Sequence, residues 1–350
     1  MTPTVLLDCR WLSLGGAGRL TELLLRGLAQ NPPAGRWVLW GPPATRELAW
    51  PGAEMAHTTL DPRAGFGQRG WFQLPRSDLT VFLHQQRPLR RVRSVTVILD
   101  TIPLRFAASR LDRAVKRLFL RRVVTISGEV ATISRYSQAC IGRDLRTPAE
   151  RVAVLSLPAD DALADRVRAL RDRLPREDAA LYVGAFLPHK NLPRLVEAFG
   201  RTDFRAGGGQ LWLVGGAPEH RRHLEQALTP DQRRFVVLRE RCDQQELERL
   251  LATAAFLVQP SLEEGFGLPV LEALSCGLPV CVSDGGALPE ITAGVADPFP
   301  ARSVGAMAAS IDATARRATD TARPAPAPWA APSTADFARQ FEEIVWRNLR

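Results

Sequence analysis

The sequence predicts an α/β protein built from two doubly wound, Rossmann-like domains. Short apolar runs alternate with amphipathic helical segments along all 350 residues, and this alternation is typical of parallel sheets covered by helices on both faces. The chain is long enough for two domains that each bury a core. Each half also opens in the same way, with an apolar strand, a turn and an amphipathic helix, so we expect two similar sheets.

Eleven short apolar runs are predicted as strands. In the first half they cover 4–7, 37–40, 79–83, 95–99, 130–133 and 152–155, and in the second half 180–183, 211–214, 235–238, 256–258 and 280–282. The helix after the first strand of each half carries one apolar face. This face is formed by Leu20, Leu23, Leu24 and Leu28 in the first half and by Leu192, Leu195, Val196 and Phe199 in the second.

We place the first domain at residues 1–158 and the second at 159–332, because a charged helical segment and a new series of strands begin there. The stretch 323–332 is rich in proline and alanine and predicts a connector without regular structure. After it, Ser333 has the features of a helix N-cap. The helix 333–350 is amphipathic and is expected to pack back against the first domain.

The chain carries 46 basic and 37 acidic residues, and they are unevenly distributed. Residues 1–150 have 22 basic and 11 acidic side chains, so this half is expected to meet an anionic partner. Five cysteines without C-x-x-C spacing argue against a zinc site or a disulfide framework. No apolar run is long enough to span a bilayer and no signal peptide is recognised, which predicts a cytoplasmic protein.

The densest basic segment, 105–122, is predicted to be helical. Its residues Leu111, Val115, Leu118 and Phe119 share one face, and the simplest prediction is a domain helix with a solvated basic side. The alternative is peripheral contact with anionic lipid on the inner face of the membrane, or with a lipid-phosphate acceptor. A nucleic-acid partner is not expected, because no basic motif is interleaved with aromatic residues.

The segment EEGFGLPVLEALSCGLPVCVS contains an unexpected carboxylate. Pro269 predicts the start of a helix and Gly277 its end, and Glu272 is the only charged residue between them. A buried carboxylate needs a partner, which could be a proton, an arginine or the hydroxyls of a ligand. The preceding Glu264 and the loop Gly265-Phe266-Gly267 favour a ligand with phosphates and hydroxyls, since glycine permits close approach of backbone amides. A nucleotide-sugar is such a ligand.

These residues carry a family resemblance. PSLEEGFGLPVLEALSCGLPVCVSDGGALPEI resembles the signature of the glycogen-synthase-like, retaining glycosyltransferases, called glycosyltransferase family 4, in which two glutamates are separated by seven residues. Other similar segments are GGAGRLTELLLRGLA, VATISRYSQACIGRDL and YVGAFLPHKNLPRLVEAF. The resemblance implies the GT-B fold, in which two Rossmann-like domains face an interdomain cleft, and mannosyltransferase members look most similar.

The resemblance also implies a role for each matching residue. Glu264 would contact hydroxyls of the donor sugar, Glu272 would contact those of the ribose, and Lys190 would neutralise the departing diphosphate. Backbone groups of the glycine loop would hold sugar and phosphate oxygens; these candidates are Gly265, Phe266, Gly267 and Leu268. In the first domain, the resemblance places substrate near the matching turn and the family's H-D element, here Gly16, Gly18 and Asp100.

One position departs from the family pattern. The family usually has a histidine before the aspartate of the H-D element, whereas this chain has Leu99 before Asp100. Leucine donates no hydrogen bond, so the substitution puts donor positioning and activity in question. His84, at the end of the preceding strand, is a candidate for the same cleft. The alternative is that His84 is a structural histidine with satisfied hydrogen bonds.

The resemblance therefore predicts a retaining glycosyltransferase that moves a hexose, with mannose from GDP-mannose favoured, to a cell-surface glycan, lipid-linked or secondary-metabolite acceptor. No Asp-x-Asp motif occurs, so we expect neither a metal nor a cofactor, and catalysis by orientation and electrostatic stabilisation. The alternatives are a UDP-sugar-dependent member and a nucleotide-sugar-binding protein with reduced catalysis. The doubly wound pattern disfavours a glycosidase, and the lack of a full G-x-G-x-x-G motif disfavours a nicotinamide dehydrogenase.

Overall fold

The computed structural model describes residues 2–58, 74–89, 91–240, 242–319 and 331–350. They form two compact units, one comprising Met1–Ala159 with Ala331–Arg350 and the other Asp160–Ala330. Most of the predicted connector 323–332 lies outside the described residues. The arrangement of two domains around a cleft stays a prediction, and each unit is described by itself.

The first unit contains a parallel sheet with the order β3-β2-β1-β4-β5-β6-β7. Its strands are β1 (Thr4–Asp8), β2 (Arg36–Gly41), β3 (Glu54–His57), β4 (Leu79–Phe82), β5 (Ser94–Val97), β6 (Glu129–Thr132) and β7 (Val152–Val154). The six strands predicted in this half are confirmed. The edge strand β3 was missed because its sequence, EMAH, has no apolar run and all its residues are exposed or half-buried. The helices are α1 (Gly15–Gln30), α2 (Ile102–Arg105), α3 (Arg110–Ile126) and α4 (Arg135–Leu145).

The second unit contains a parallel sheet with the order β10-β9-β8-β11-β12. Its strands are β8 (Ala179–Gly184), β9 (Gln210–Gly215), β10 (Val236–Arg239), β11 (Phe256–Gln259) and β12 (Val280–Val282), which confirms the five predicted in this half. The helices are α5 (Asp161–Arg171), α6 (Leu192–Phe199), α7 (Asp203–Ala206), α8 (Pro218–Ala227), α9 (Gln244–Thr253), α10 (Leu268–Ser275), α11 (Leu288–Ile291) and α12 (Val304–Thr319). The α/β class with two doubly wound sheets is confirmed.

The last helix, α13 (Thr334–Leu349), lies in the first unit and packs against α1. Its capping box is formed by Ser333 and the residue three positions later. The contact with α1 is close because Gly27 has no side chain: a Cβ there would lie 2.7 Å from the carbonyl oxygen of Thr334. The apolar stripe of α13 is buried, as its periodicity predicts, and comprises Phe337, Phe341, Ile344 and Val345.

Two predicted helix details are wrong. Helix α10 begins at Leu268, one residue before the predicted first residue, Pro269. Its predicted end is confirmed by a left-handed turn at Gly277 (φ +67°). In α3, most of the predicted apolar face is not packed against the domain: Leu111, Val115 and Leu118 are exposed, whereas Phe119 packs against the core. Residues nearer the end of the helix fill the core, because only this end lies against the sheet; the buried side chains are Leu120, Val123, Val124 and Ile126.

Candidate functional site

The second sheet has a topological switch point between β8 and β11, where the strand order reverses. In open parallel sheets, ligands bind at this position, beyond the carboxyl ends of the strands. The loop after β8 contains Lys190, and the loop after β11 contains Glu264. The fold therefore brings two predicted site residues, 74 positions apart in sequence, to the same edge.

Lys190 and Glu264 form an ion pair. Nζ of Lys190 lies 2.5 Å from Oε1 of Glu264, and the side chains are only 15% and 9% exposed. Nε2 of Gln259 and Oγ of Ser261 donate to the same carboxylate oxygen, at 2.7 and 3.0 Å. Within the described residues, Oε2 of Glu264 accepts no hydrogen bond, and Lys190 uses one of its three N–H donors. The pair thus retains an acceptor for a hydroxyl and donors for a phosphate.

Gln259 and Ser261 were not predicted as site residues. Gln259 ends a buried strand, and Ser261 precedes the first glutamate of the signature by three positions. A polar residue at the carboxyl end of a predicted strand, next to a predicted site carboxylate, is the sequence signal that could have identified both. Their position shows that Glu264 is held by two neutral donors as well as by the lysine.

The two loops are joined directly. The backbone N–H of Leu262 donates to the carbonyl of His189 at 2.7 Å. Asn191, which is buried and left-handed (φ +61°), donates through Nδ2 to the carbonyls of Pro260 at 3.0 Å and Ala301 at 2.7 Å. An asparagine tolerates this conformation better than most residues. Lys190 therefore supplies the charge, and the neighbouring Asn191 holds the loop in position.

A second turn, formed by residues 283–287, packs against the Glu264 loop. Gly286 has φ +72°, and a Cβ there would lie 2.2 Å from the carbonyl oxygen and 2.4 Å from the backbone nitrogen of Glu264. Oγ of Ser283 donates to the carbonyl of Ser261 at 2.6 Å, and the backbone N–H of Ala287 donates to the carbonyl of Glu264 at 3.0 Å. Only glycine fits at position 286, because two backbones meet there.

The glycine loop leads directly into α10. Gly265 and Phe266 are buried, and Gly267 has φ +108° with Cδ2 of Leu288 only 2.9 Å from the position of an added Cβ. No side chain caps this helix, and Pro269 has no N–H. The first amides of a helix lack intrahelical acceptors, so the amide of Leu268 lies where an anion or hydroxyl oxygen can be bound.

Glu272 is half-buried, so the expectation of a fully buried carboxylate is wrong. It does not belong to the hydrogen-bond cluster around Glu264. Just after the last residue of α10, burial raises the pKa of the Cys276 thiol to about 12. The positive charge of Arg171 opposes this rise, and the negative charge of Glu272 contributes to it. The side of α10 that carries Glu272 is partly exposed. Its contact with a ribose stays a prediction.

The first sheet has its own switch point, between β1 and β4. Beyond these strands, the ring of Trp11 packs against His84 with centroids 3.9 Å apart and the planes tilted by 38°. Nδ1 of His84 accepts a hydrogen bond from the backbone N–H of Gln86 at 3.1 Å. Arg10 is buried near His84, and its guanidinium group pairs with both carboxylate oxygens of Asp8 at 2.8 and 2.7 Å. His84 therefore has structural contacts through Nδ1 and its ring, and a contact with substrate stays a prediction.

The other first-domain candidates lie in two places. Gly18 is buried in the first turn of α1, where a Cβ would lie 2.6 Å from the carbonyl oxygen of Trp11; Gly16 in the same turn is exposed. Oδ1 of Asp100 accepts a hydrogen bond from the backbone N–H of Ile102 at 2.9 Å and so supports the start of α2. Gly18 and Asp100 thus have structural contacts of their own, and their contacts with substrate stay predictions.

We expect His84 and His189 to remain uncharged between about pH 5 and pH 8. Burial and the charge of Arg10 lower the pKa of His84 to about 3, and burial and Lys190 lower that of His189 to about 4. Both imidazoles bind protons more readily in the unfolded chain, so the free energy of unfolding should decrease as the pH falls below about 6.5. NMR titration of the ring protons, assigned with single His→Asn variants, tests this; a midpoint above about pH 5 for either ring would contradict it.

The fold and the switch-point site define a class of protein. HepE from Anabaena, solved in complex with UDP and glucose, superposes with a TM-score of 0.70 at 17% sequence identity, over 99% of this chain and 100% of that one. The chain therefore shares the GT-B fold in its two parallel sheets, as predicted, and the cleft between the domains stays a prediction.

Sequence comparisons show which known proteins the chain resembles. Residues 177–316 match the model for Glycosyl transferases group 1. The O-antigen chain mannosyltransferase RfbU of Salmonella typhimurium is 27% identical over 204 residues, 57% of this chain and 54% of that protein. The O-antigen chain mannosyltransferase B of Escherichia coli is 31% identical over 180 residues, 48% of this chain and 47% of that protein. The chain spans about half the length of the curated relatives it matches.

Proposed function

We propose that this protein is a retaining, metal-independent glycosyltransferase that moves a hexose from a nucleoside diphosphate sugar to an acceptor hydroxyl. The observation that carries the proposal is the Lys190–Glu264 pair at the switch point of the unit that matches the glycosyltransferase group 1 model. Its unused ammonium donors suit the diphosphate, and its unused carboxylate oxygen suits a sugar hydroxyl.

The reaction needs little acid-base chemistry from the protein. The bond between the anomeric carbon and the diphosphate oxygen breaks, and the acceptor oxygen bonds to that carbon on the same face. The acceptor proton passes to the leaving phosphate oxygen. Lys190 stabilises the negative charge that develops on the diphosphate, and the amides at the start of α10 add to this stabilisation.

Mannose from GDP-mannose is the favoured donor. Two relatives near 30% identity are O-antigen chain mannosyltransferases, which supports mannose as the sugar and a cell-surface glycan or lipid-linked acceptor. The same proposal includes a role in polysaccharide biosynthesis. The protein would be cytoplasmic and would contact the inner face of the membrane peripherally. A secondary-metabolite acceptor is the alternative.

Two further candidates follow from specific observations. A UDP-sugar donor is supported by HepE, whose fold is shared and whose crystals contain UDP and glucose. A nucleotide-sugar-binding protein with reduced catalysis is supported by Leu99, which stands where the family usually has a histidine and is half-buried.

Donor binding and turnover separate these candidates. Thermal unfolding should be measured with GDP, UDP, ADP and TDP, because a bound nucleotide raises the unfolding temperature. Nucleotide release from GDP-mannose and UDP-glucose should then be followed with acceptor, with and without EDTA. GDP-selective stabilisation and EDTA-resistant release are expected. Stabilisation without release would favour the binding protein, and strict EDTA sensitivity would refute the metal-free mechanism.

Replacing Glu272 with glutamine should weaken GDP binding about 10- to 100-fold, because a charge-assisted hydrogen bond to a ribose hydroxyl is lost. The wild-type protein should also prefer GDP to 2′,3′-dideoxy-GDP, and Glu272→Gln should lose most of this preference. Calorimetry with both nucleotides measures the two effects. Ser275→Ala, on the same helix, is the control. An unchanged preference in Glu272→Gln would show that this carboxylate does not bind ribose.

A further inference from the structure

Helix α3 of the first unit presents large apolar side chains to solvent. Leu111, Val115 and Leu118 are 74%, 59% and 71% exposed. At about 100° per residue in an α-helix, the three fall within a sector of about 60°. They form one continuous stripe, which we call the α3 stripe. Exposed aliphatic residues are common singly, but a contiguous stripe indicates a binding surface.

The exposure follows from how α3 is packed. Its last turns are buried against the first unit through Leu120, Val123 and Val124. In the first turns only Asp112 and Lys116 on the opposite side are half-buried. The amino-terminal half of the helix therefore extends from the domain surface with the α3 stripe outward.

The charge around the stripe has one sign. Helix α3 has six basic residues and a single acidic one, Asp112, whose Oδ2 accepts from Nζ of Lys116 at 2.7 Å and from the backbone N–H of Ala108 at 3.0 Å. The neighbouring exposed arginines are Arg110 and Arg117, beside the stripe, and Arg122, in line with it. The surface thus combines aliphatic side chains with guanidinium groups that have no acidic neighbour on the exposed side of the helix.

We propose that the α3 stripe docks this protein onto the surface of an anionic lipid bilayer. An interfacial helix buries an aliphatic stripe at the boundary between headgroups and acyl chains, while arginines beside it contact lipid phosphates. No helix among the described residues has the length and apolar character of a membrane span. The inference rests on the proposed function and deepens it, since it assigns the peripheral membrane contact to the α3 stripe.

A second copy of the chain fits the surface less well. Two copies of α3 facing each other would bring six basic residues against six, and only two acidic residues would be present to offset them. Like charges brought together at an interface are costly. Anionic lipid has the opposite charge and is the occupant that the helix composition favours.

Vesicle sedimentation tests the proposal with the full chain. Vesicles of phosphatidylcholine are compared with vesicles that also contain about 30% phosphatidylglycerol, at low and high salt. We expect at least about tenfold stronger binding to the anionic vesicles, weakened by salt. The triple variant Leu111→Ser, Val115→Ser, Leu118→Ser should lose this binding, and Leu187→Ser in the second unit should retain it.

A charge variant provides the second arm. Arg110→Gln, Arg117→Gln, Arg122→Gln should weaken binding at least about tenfold, whereas Arg168→Gln, Arg173→Gln, Arg201→Gln in the second unit should not. Equal binding by all variants, or no preference for anionic vesicles, would overturn the proposal. So would a wild-type dimer that the triple serine variant dissociates. GDP or UDP binding without vesicles should be unchanged in both α3 variants, which separates this test from that of the proposed function.

Discussion

Replacing Lys190 with methionine is expected to lower kcat for sugar transfer by roughly 10²–10³-fold, the usual cost of removing one group that stabilises charge in the transition state. The ammonium lies 2.5 Å from Glu264 and has donors to spare for the diphosphate. Methionine has a similar length and no charge, so the loss should be electrostatic. Steady-state kinetics with the donor identified by thermal unfolding measures it.

The chain offers a matched control because its only other lysine is Lys116. Lys116→Met makes the same chemical change in a half-buried ion pair with Asp112 in the first unit and should leave kcat unchanged in assays without vesicles. Lys190→Arg should recover part of the loss, since it restores the positive charge. If Lys190→Met retains wild-type kcat with intact folding, Lys190 does not stabilise the leaving group.

Replacing Gly286 with alanine is expected to lower the free energy of unfolding of the second unit by about 2–5 kcal/mol, from steric overlap and left-handed strain together. The added Cβ would lie 2.2 Å from the carbonyl oxygen of Glu264, which is backbone and has little freedom to move. The Glu264 loop should shift, so donor affinity should fall as well. Denaturant unfolding and nucleotide binding measure the two effects.

Gly294→Ala is the control that separates the steric overlap from the backbone strain. Gly294 also has positive φ, +76°, but no atom lies within 4 Å of the position of its Cβ. Its alanine variant should cost only the backbone strain, about 1–2 kcal/mol, and leave donor affinity unchanged. Equal destabilisation by the two substitutions would mean that the contact behind Glu264 is not tightly packed.

The site could be predicted only in part. Lys190 and Glu264 were predicted through the family resemblance, and their proximity follows from β8 and β11 being neighbours in the sheet. The supporting residues Gln259 and Ser261 were missed, because a polar residue at the end of a strand marks a candidate position but does not show which side chain it will contact. Their function depends on which loops meet, and strand order decides that.

The periodicity of the sequence determined the strands, the main helices and the α/β class, because local alternation and helical spacing reflect which side chains must leave water. It could not determine how far each apolar face would be covered. The stripe of α13 is buried against α1, whereas Leu111, Val115 and Leu118 of α3 remain exposed. Both helices have the same amphipathic pattern. Coverage depends on neighbouring elements, which only the tertiary structure specifies.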